Sequence, residues 1–282
     1  MKDEDITHIV SFSGGRTSAY LVHLMEQLRK DKDWKVVYVF CDTGAEHDKT
    51  YDFIRNIVRH WKIDLTCLRV VVNPEYRKAS SYEVVGLDDL KHDLKPWKQI
   101  VAKYSLPNVS MPYCTREMKS RPFEKWVADH VDGPFNVWLG IRADEPNRLK
   151  ERENFRYLAE LSDFEKQDIL DWWSEQKFDL GIPEWLGNCC FCVKKSIKKV
   201  AVAAIDEPTK ARQFATVITS PKVRVKNEKL DPLMYRGGYS FKRIREEFPK
   251  KTRNQLLTSM RNGHAMDSGS CSESCEIFPT ED

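Results

Sequence analysis

The sequence predicts an α/β fold, a doubly wound and mainly parallel sheet followed by a helical, cysteine-containing C-terminal part. Three observations carry that expectation. Short apolar runs alternate with segments of helical period over the first half of the chain, and polar glycine-containing turns stand where a run meets a helix. Beyond residue 141 the pattern changes to loops and helices with no convincing central strand. At 282 residues the chain can bury a substantial core without being divided into small modules.

Residues 6–12, "ITHIVSF", read as the first strand and run into "SFSGGRTSAY" at 11–20. A helix follows over 16–30, because Ala19, Leu21, Val22, Leu24, Met25 and Leu28 fall near helical spacing. The second strand, 35–40, ends at "CDTGAEH", and the next helix sets Tyr51, Ile54, Ile57, Val58 and Trp61 on one face. "LTCLRVVV" (65–72) is a third strand; after mostly helical material between 84 and 130, "FNVWLGI" (135–141) is a fourth. The segment 162–176 opens on a capping box, Ser162 to Glu165, and carries Ile169, Leu170, Trp172 and Trp173, which predicts a helix. Further helices are expected over 193–219 and 239–261. The predicted divisions are an α/β domain over 1–186, a basic helical region with a C-x-x-C over 187–264, and a cysteine-containing tail over 265–282.

The apolar runs, such as "VVYVFC", are far too short to cross a bilayer, and the acidic start "MKDEDITHIV" lacks a secretory pattern, so the cytoplasm is the expected location. The net charge of +3 conceals an asymmetry: residues 187–264 hold 18 Lys plus Arg against 6 Asp plus Glu, leaving 28 against 37 elsewhere. Such a basic region can mark a surface for polyanions or a set of solvated helix faces.

The turn after the first strand is a candidate anion site. A strand-to-helix turn gathers unpaired backbone N–H groups, and the helix dipole adds partial positive charge there. Ser13, Thr17 and Ser18 supply hydroxyls, and Gly14 and Gly15 let backbone approach a ligand closely. Neither a Walker A nor a G-x-G-x-x-G pattern is present. Asp42, Thr43, Gly44 and Glu46, at the end of the second strand, would share one crevice with that turn.

"SFSGGRTSAY" resembles the S-G-G-x-x-S pyrophosphate loop of the adenine nucleotide α-hydrolase superfamily, whose fold is Rossmann-like. "FCDTGAEHDKTYDFIRNI" resembles the D-T-G signature of the phosphoadenosine phosphosulfate (PAPS) reductase family within it. "YCTREMKSRPF", "GIRADEPNR", "LSDFEKQDILDWW" and "GNCCFC" resemble further segments of that family in order, and the whole chain is similar to PAPS-reductase-like proteins of enterobacterial phages and prophages. The resemblance implies nucleotide contacts from Ser11, Ser13, Gly14, Gly15, Arg16, Thr17, Ser18, Asp42, Thr43, Gly44, Gly140 and Arg142. Thr17 departs from the Asp common in ATP-cleaving relatives, which bears on any Mg²⁺ geometry. Thr115 replaces the second of the tandem cysteines of iron-sulfur relatives.

Eight cysteines in a reducing compartment point to metal ligands, redox thiols or core fillers. Cys189 and Cys192 form C-x-x-C, Cys271 and Cys275 form C-x-x-x-C, and Cys114 makes a fifth candidate for four thiolate positions. Spacing alone leaves zinc, an iron-sulfur cluster and a redox dithiol open. The resemblance favours a [4Fe–4S] cluster on Cys114, Cys189, Cys192 and Cys275, with Cys271 as a mobile catalytic thiol; the reverse roles for the tail pair stay open. Cys41, Cys67 and Cys190 read as structural, and His47 as a hydrogen-bonding loop residue. The catalytic candidates are Cys271, Asp42 and Arg142. Arg142 can offset phosphate charge or simply pair with Asp144 or Glu145, and Lys119 and Arg121 carry the same ambiguity.

These features imply an enzyme using ATP, or PAPS or another adenylyl sulfate, for sulfur chemistry. The expected reaction is AMP-forming activation and thiolation of an acceptor such as a nucleic-acid base, served by a sulfur donor such as a cysteine desulfurase. The alternatives are a sulfonucleotide reductase served by a thioredoxin-like donor, and a cluster-bearing nucleotide-binding regulator without turnover.

Overall fold

The computed structural model of the protein describes residues 3–75 and 77–261. Strand β1 (Thr7–Ser11) leads into helix α1 (Arg16–Lys32), β2 (Lys35–Asp42) into α2 (Asp48–Trp61), and β3 (Leu65–Val71) into β4 (Ser81–Val85). After α3 (Lys95–Tyr104) the chain makes a single helical turn, α4 (Tyr113–Thr115). A π-helical turn at Arg116–Ser120 leads on into α5 (Arg121–His130). Strands β5 (Phe135–Leu139) and β6 (Phe155–Tyr157) precede α6 (Lys166–Ser174). Four helices follow: α7 (Ile197–Asp206), α8 (Pro208–Ile218), α9 (Phe241–Glu247) and α10 (Arg253–Arg261).

The six strands form one sheet in the order β4-β3-β2-β1-β5-β6, parallel throughout except for the β3–β4 pair. Alternate side chains face opposite layers, as the two-residue period of a strand requires. Ile9, Val39 and Leu68 enter the layer closed by Phe123, Trp126 and Val127 of α5. Val10, Phe40 and Cys67 enter the other, which continues through α1 and α2 to Val200 of α7, Phe214 of α8 and Leu256 of α10. Both faces of β1 and β2 are thus covered, which explains their near-continuous apolar runs. Among the described residues no helix is long and apolar enough to cross a membrane.

Three details differ from the expectation. Strand β4 lies in a stretch with no strand signal, and β6 is three residues long; both are sheet edges, where half-exposed side chains need no apolar run. Helix α6 begins three residues later than the Ser162–Glu165 box implies. Glu165 is its N-cap, its amide donates to Asp168 at 2.8 Å, and the Ser162 hydroxyl accepts from the Phe164 amide at 3.2 Å.

Candidate functional site

The turn between β1 and α1 is tied by its own serines. Ser13 and Ser18 hydroxyls lie 2.8 Å apart, the Ser13 amide donates to Ser18 Oγ at 3.2 Å, and Ser18 Oγ donates to the Gly15 carbonyl at 3.1 Å. Gly15 caps α1 with no side-chain bond, so the first-turn N–H groups of that helix keep their capacity for an anion. Gly14 sits at φ +80°, and a Cβ there would lie 3.0 Å from Thr50 Cγ2. Gly140, expected among the nucleotide contacts, follows β5 and lies tight against the first turn of α1: an added Cβ would fall 2.9 Å from Ser18 Cα. We therefore expect Gly140→Ala to shift α1 and lower the melting midpoint, at a cost of about 1–3 kcal/mol for overpacking against backbone, measured by thermal denaturation. Ser11 is buried at the end of β1, its hydroxyl without a partner among the described residues.

A cavity of about 270 Å³ opens over this turn, walled by Gly14, Gly15, Thr17, Thr50, Arg142 and Asn188. Ile169, Leu180 and Ile182 supply its apolar side, and three cations, Arg16, Arg142 and Lys166, reach its lining. Each cation is held by carboxylates. Arg16 pairs with Asp179 at 2.6 Å, Lys166 with Glu184 at 3.0 Å, and Arg142 with Asp144 at 2.7 Å and Glu145 at 3.7 Å. Arg142 also donates to Thr17 Oγ1 at 3.3 Å, so the expected pairing with Asp144 and Glu145 is accompanied by a bond to the first turn of α1. Burial by itself would raise the Asp144 and Asp179 carboxyls; their hydrogen bonds with Arg142 and Arg16 more than offset it and hold both below the usual range. Trp173 of α6 anchors this wall, donating its indole N–H to the Arg16 carbonyl at 3.0 Å.

The loop after β2 is built around two buried carboxylates. Asp42 accepts from the Gly44 amide at 2.8 Å, from Tyr51 Oη at 2.9 Å and from Arg69 Nε at 2.8 Å. Fully buried, it does not line the cavity. The catalytic expectation for Asp42 meets a residue whose oxygens are engaged in shaping the loop. Gly44 is turned toward α3, its carbonyl accepting the Leu94 amide at 2.9 Å. Glu46 accepts from Thr43 Oγ1 at 2.7 Å and Tyr51 Oη at 2.9 Å.

Burial and the neighbouring Glu46 charge, against the pull of Arg69, push Asp42 from 3.8 to about 6. Across the intervening pH range the folded protein keeps a proton that the unfolded chain has lost. The stabilisation from this group is complete below pH about 4 and drains away as pH rises through about 6. Urea midpoints measured from pH 4 to 7 are expected to carry this downward contribution in the wild type and to lack it in Asp42→Asn.

The C-x-x-C segment docks on this loop. Cys189 pairs with Glu46 in a bridge, the Cys190 amide donates to the Ala45 carbonyl at 3.0 Å, and Thr43 Oγ1 lies 3.3 Å from Cys189 Sγ. Asn188, which lines the cavity, immediately precedes Cys189, which is itself buried against the Thr43–Glu46 loop and does not line the cavity. Cys192 lies on the far side of that turn, next to Phe191, whose carbonyl accepts Tyr235 Oη at 3.0 Å. Cys114 Sγ faces the Pro112 carbonyl at 3.7 Å. Burial lifts the Cys41, Cys67 and Cys190 thiols to about 12, as suits core residues. His47 caps α2, accepting the Lys49 amide at 3.1 Å, and contacts Glu207 at 3.0 Å. Arg121 pairs with Glu117 at 2.7 Å, and Lys119 is buried.

Among the described residues no three His, Cys, Asp or Glu side chains converge closely enough to hold a metal ion. Cys189 is directed to Thr43 and Glu46, and the described cysteines do not by themselves make a closed ligand set. Cys271 and Cys275 lie outside the described residues. Lys166 and Lys195 are not among the residues expected at the site from the sequence. Lys195 is a buried ammonium that donates to the carbonyls of Trp185 at 2.7 Å and Cys190 at 3.1 Å and so fixes the cysteine turn. Its signal was the run "VKKSIKK", which reads equally as a solvated face.

Comparison with known proteins places residues 7–180 in a match to the phosphoadenosine phosphosulfate reductase domain. The chain is 49% identical over 277 residues to an uncharacterized nin region protein of Escherichia phage lambda, covering 96% of this chain and 95% of that protein. It is 25% identical over 138 residues to an uncharacterized protein of Methanocaldococcus jannaschii, covering 49% of this chain and 23% of that one.

Proposed function

The chain belongs to the phosphoadenosine phosphosulfate reductase domain family, and from that premise we propose that its cavity takes an adenine nucleotide, most simply ATP, for AMP-forming activation of an acceptor that then receives sulfur. The observation that carries this reading is the docking of Cys189 on the Thr43–Glu46 loop, one residue from the cavity wall that faces Gly14, Gly15 and Arg142. A turn suited to phosphate and a thiol behind the neighbouring wall residue suit a reaction in which an oxygen of the acceptor attacks the α-phosphorus and pyrophosphate leaves. The outer sulfur of a cysteine persulfide, loaded by an external sulfur donor, then attacks the adenylated carbon and displaces AMP, and a second thiol releases the thiolated acceptor by forming a disulfide with the carrier cysteine. The backbone amides of the first turn of α1 and the guanidinium of Arg142 would stabilise the charge that develops on the phosphates. Ser13 and Ser18 hold the turn in shape, and Thr17 and Arg16 line the ligand's approach. Nothing in this sequence of steps requires Asp42 to touch the nucleotide.

The cluster belongs to the same proposal as a matter of composition. Cys114, Cys189 and Cys192 do not converge as they stand, so a cluster held by them and a tail thiol would require the cysteine segments to draw together; bound there it would supply redox or sulfur-carrying capacity, and zinc is the alternative occupant. Iron and zinc analysis of anaerobically purified protein tests it.

A sulfonucleotide reductase is the second reading, favoured by the same Thr43–Cys189 contact, since a thiol beside the nucleotide could attack an adenylyl sulfate directly. Thr17, standing where an Asp is common, favours a binding-only regulator. Incubating anaerobic protein with labelled ATP or adenylyl sulfates separates the three. AMP with pyrophosphate supports activation, sulfite overturns it in favour of the reductase, and tight binding without product leaves the regulator.

A further inference from the structure

The connection between α8 and α9, residues 219–240, contains a single short 3₁₀ turn, Arg236–Gly238, and is longer than the roughly 12–15 residues above which irregular loops in compact domains are usually functional. It holds five cations, Lys222, Arg224, Lys226, Lys229 and Arg236, against two carboxylates, Glu228 and Asp231. Asp231 is occupied in folding the loop, accepting the amides of Lys226 at 2.6 Å and Asn227 at 3.0 Å. Lys222, Lys226, Lys229 and Arg236 are exposed, and no carboxylate lies within 4 Å of their charged groups among the described residues. An unneutralised row of this kind attracts a polyanion.

The roots of the loop fix where that polyanion would lie. Arg224 is pinned to α3 through the Val101 carbonyl at 3.0 Å. Met234 accepts the Val109 amide at 3.1 Å, five residues before Cys114, and Tyr235 Oη donates to the Phe191 carbonyl, one residue before Cys192. The basic loop therefore grows from a point shared by both thiol-bearing segments. Large apolar side chains flank it in the open: Val225 and Leu230 at 60% exposure and Met111, on the neighbouring loop, at 63%. Apolar surface beside cations suits unstacked bases, whereas a duplex presents mainly phosphates and hides the base atoms on which chemistry would be done.

We propose that residues 219–240, with Met111, form the docking surface for a single-stranded nucleic acid whose bases reach the thiol side of the crevice. The inference rests on the thiolation reading, for which it names the acceptor class, and it can be tested without turnover. Fluorescence anisotropy with labelled single-stranded RNA and DNA 20-mers, across a salt series, would compare wild type with the triple variant Lys222→Ala/Lys226→Ala/Lys229→Ala. Loss of three phosphate contacts predicts binding about 100-fold weaker at 0.1 M salt and a log–log salt slope shallower by about 2, with ATP affinity and melting temperature unchanged. The RNA and DNA arms distinguish the two sources. No binding by the wild type, or equal affinity and slope in the variant, would overturn the proposal, as would duplex DNA or heparin binding as tightly as the single strands. Oligonucleotide binding that follows the prediction in a protein that releases no AMP would keep this surface and remove the thiolation reading.

Discussion

Replacing Arg142 with alanine is expected to lower turnover of the nucleotide about 10²–10³-fold, the usual consequence of removing one preorganised donor from a site of developing negative charge. The side chain is held on both sides by protein groups. Arg142 is 4% exposed, its Nε is fixed on Asp144 at 2.7 Å and its Nη1 is directed to Thr17 Oγ1 at 3.3 Å. The guanidinium is thus oriented before the ligand arrives. The variant also leaves Asp144 without its guanidinium, whereas Glu145 keeps Arg148 at 2.5 Å, so the melting midpoint will fall as well. Arg142→Lys separates the two effects: a point charge can partly satisfy the carboxylates but cannot reproduce the fork that reaches Thr17. Nucleotide turnover in Arg142→Lys is expected to stay well below wild type while its stability recovers. Full turnover in the lysine variant would mean that only the charge at this position matters.

Asp42→Ala is expected to cost about 3–5 kcal/mol of stability at neutral pH, the range for breaking a buried ion pair by removing one partner. Arg69, 7% exposed, would keep its charge with neither of the bonds it now makes to Asp42 Oδ2, at 2.8 Å from Nε and 2.5 Å from Nη2. The Gly44 amide and Tyr51 Oη would lose an acceptor in the same loop. Urea denaturation measures the loss. Asp42→Ala combined with Arg69→Met should recover a large part of it, because an apolar pair of similar volume avoids stranding the guanidinium. Equal destabilisation in the single and double variants would show that the Gly44 and Tyr51 bonds, rather than the ion pair, hold the loop.

How far the sequence discloses this arrangement depends on the range of the interaction. Strands β1, β2, β3 and β5 are legible because each is covered on at least one face by helices, and burial imposes the apolar run that periodicity detects. Strands β4 and β6 are edges, with exposed Glu83, Val84 and Arg156, and leave no such trace. The turn after β1 is legible because its glycines and serines are local requirements of one bend. Whether a polar residue near that bend faces the ligand or shapes the protein is decided by partners far along the chain. Gly140 is needed for Ser18, and Asp42 for Arg69, which no local pattern encodes. Lys166 reads as one more cation in the first turn of a helix, and only the path of α6 along α1 brings it to the cavity. The meeting of Thr43 with Cys189 is likewise a tertiary fact that no local pattern encodes.

The most direct measurement of the central claim is a crystal structure of the protein grown anaerobically with a non-hydrolysable ATP analogue. The account predicts phosphate oxygens within hydrogen-bond distance of the amides at the start of α1 and of Arg142, with the adenylate on the side of the cavity that borders Asn188 and Cys189. A nucleotide bound elsewhere, or bound at the turn with Cys189 carried away from the Thr43 loop, would contradict it.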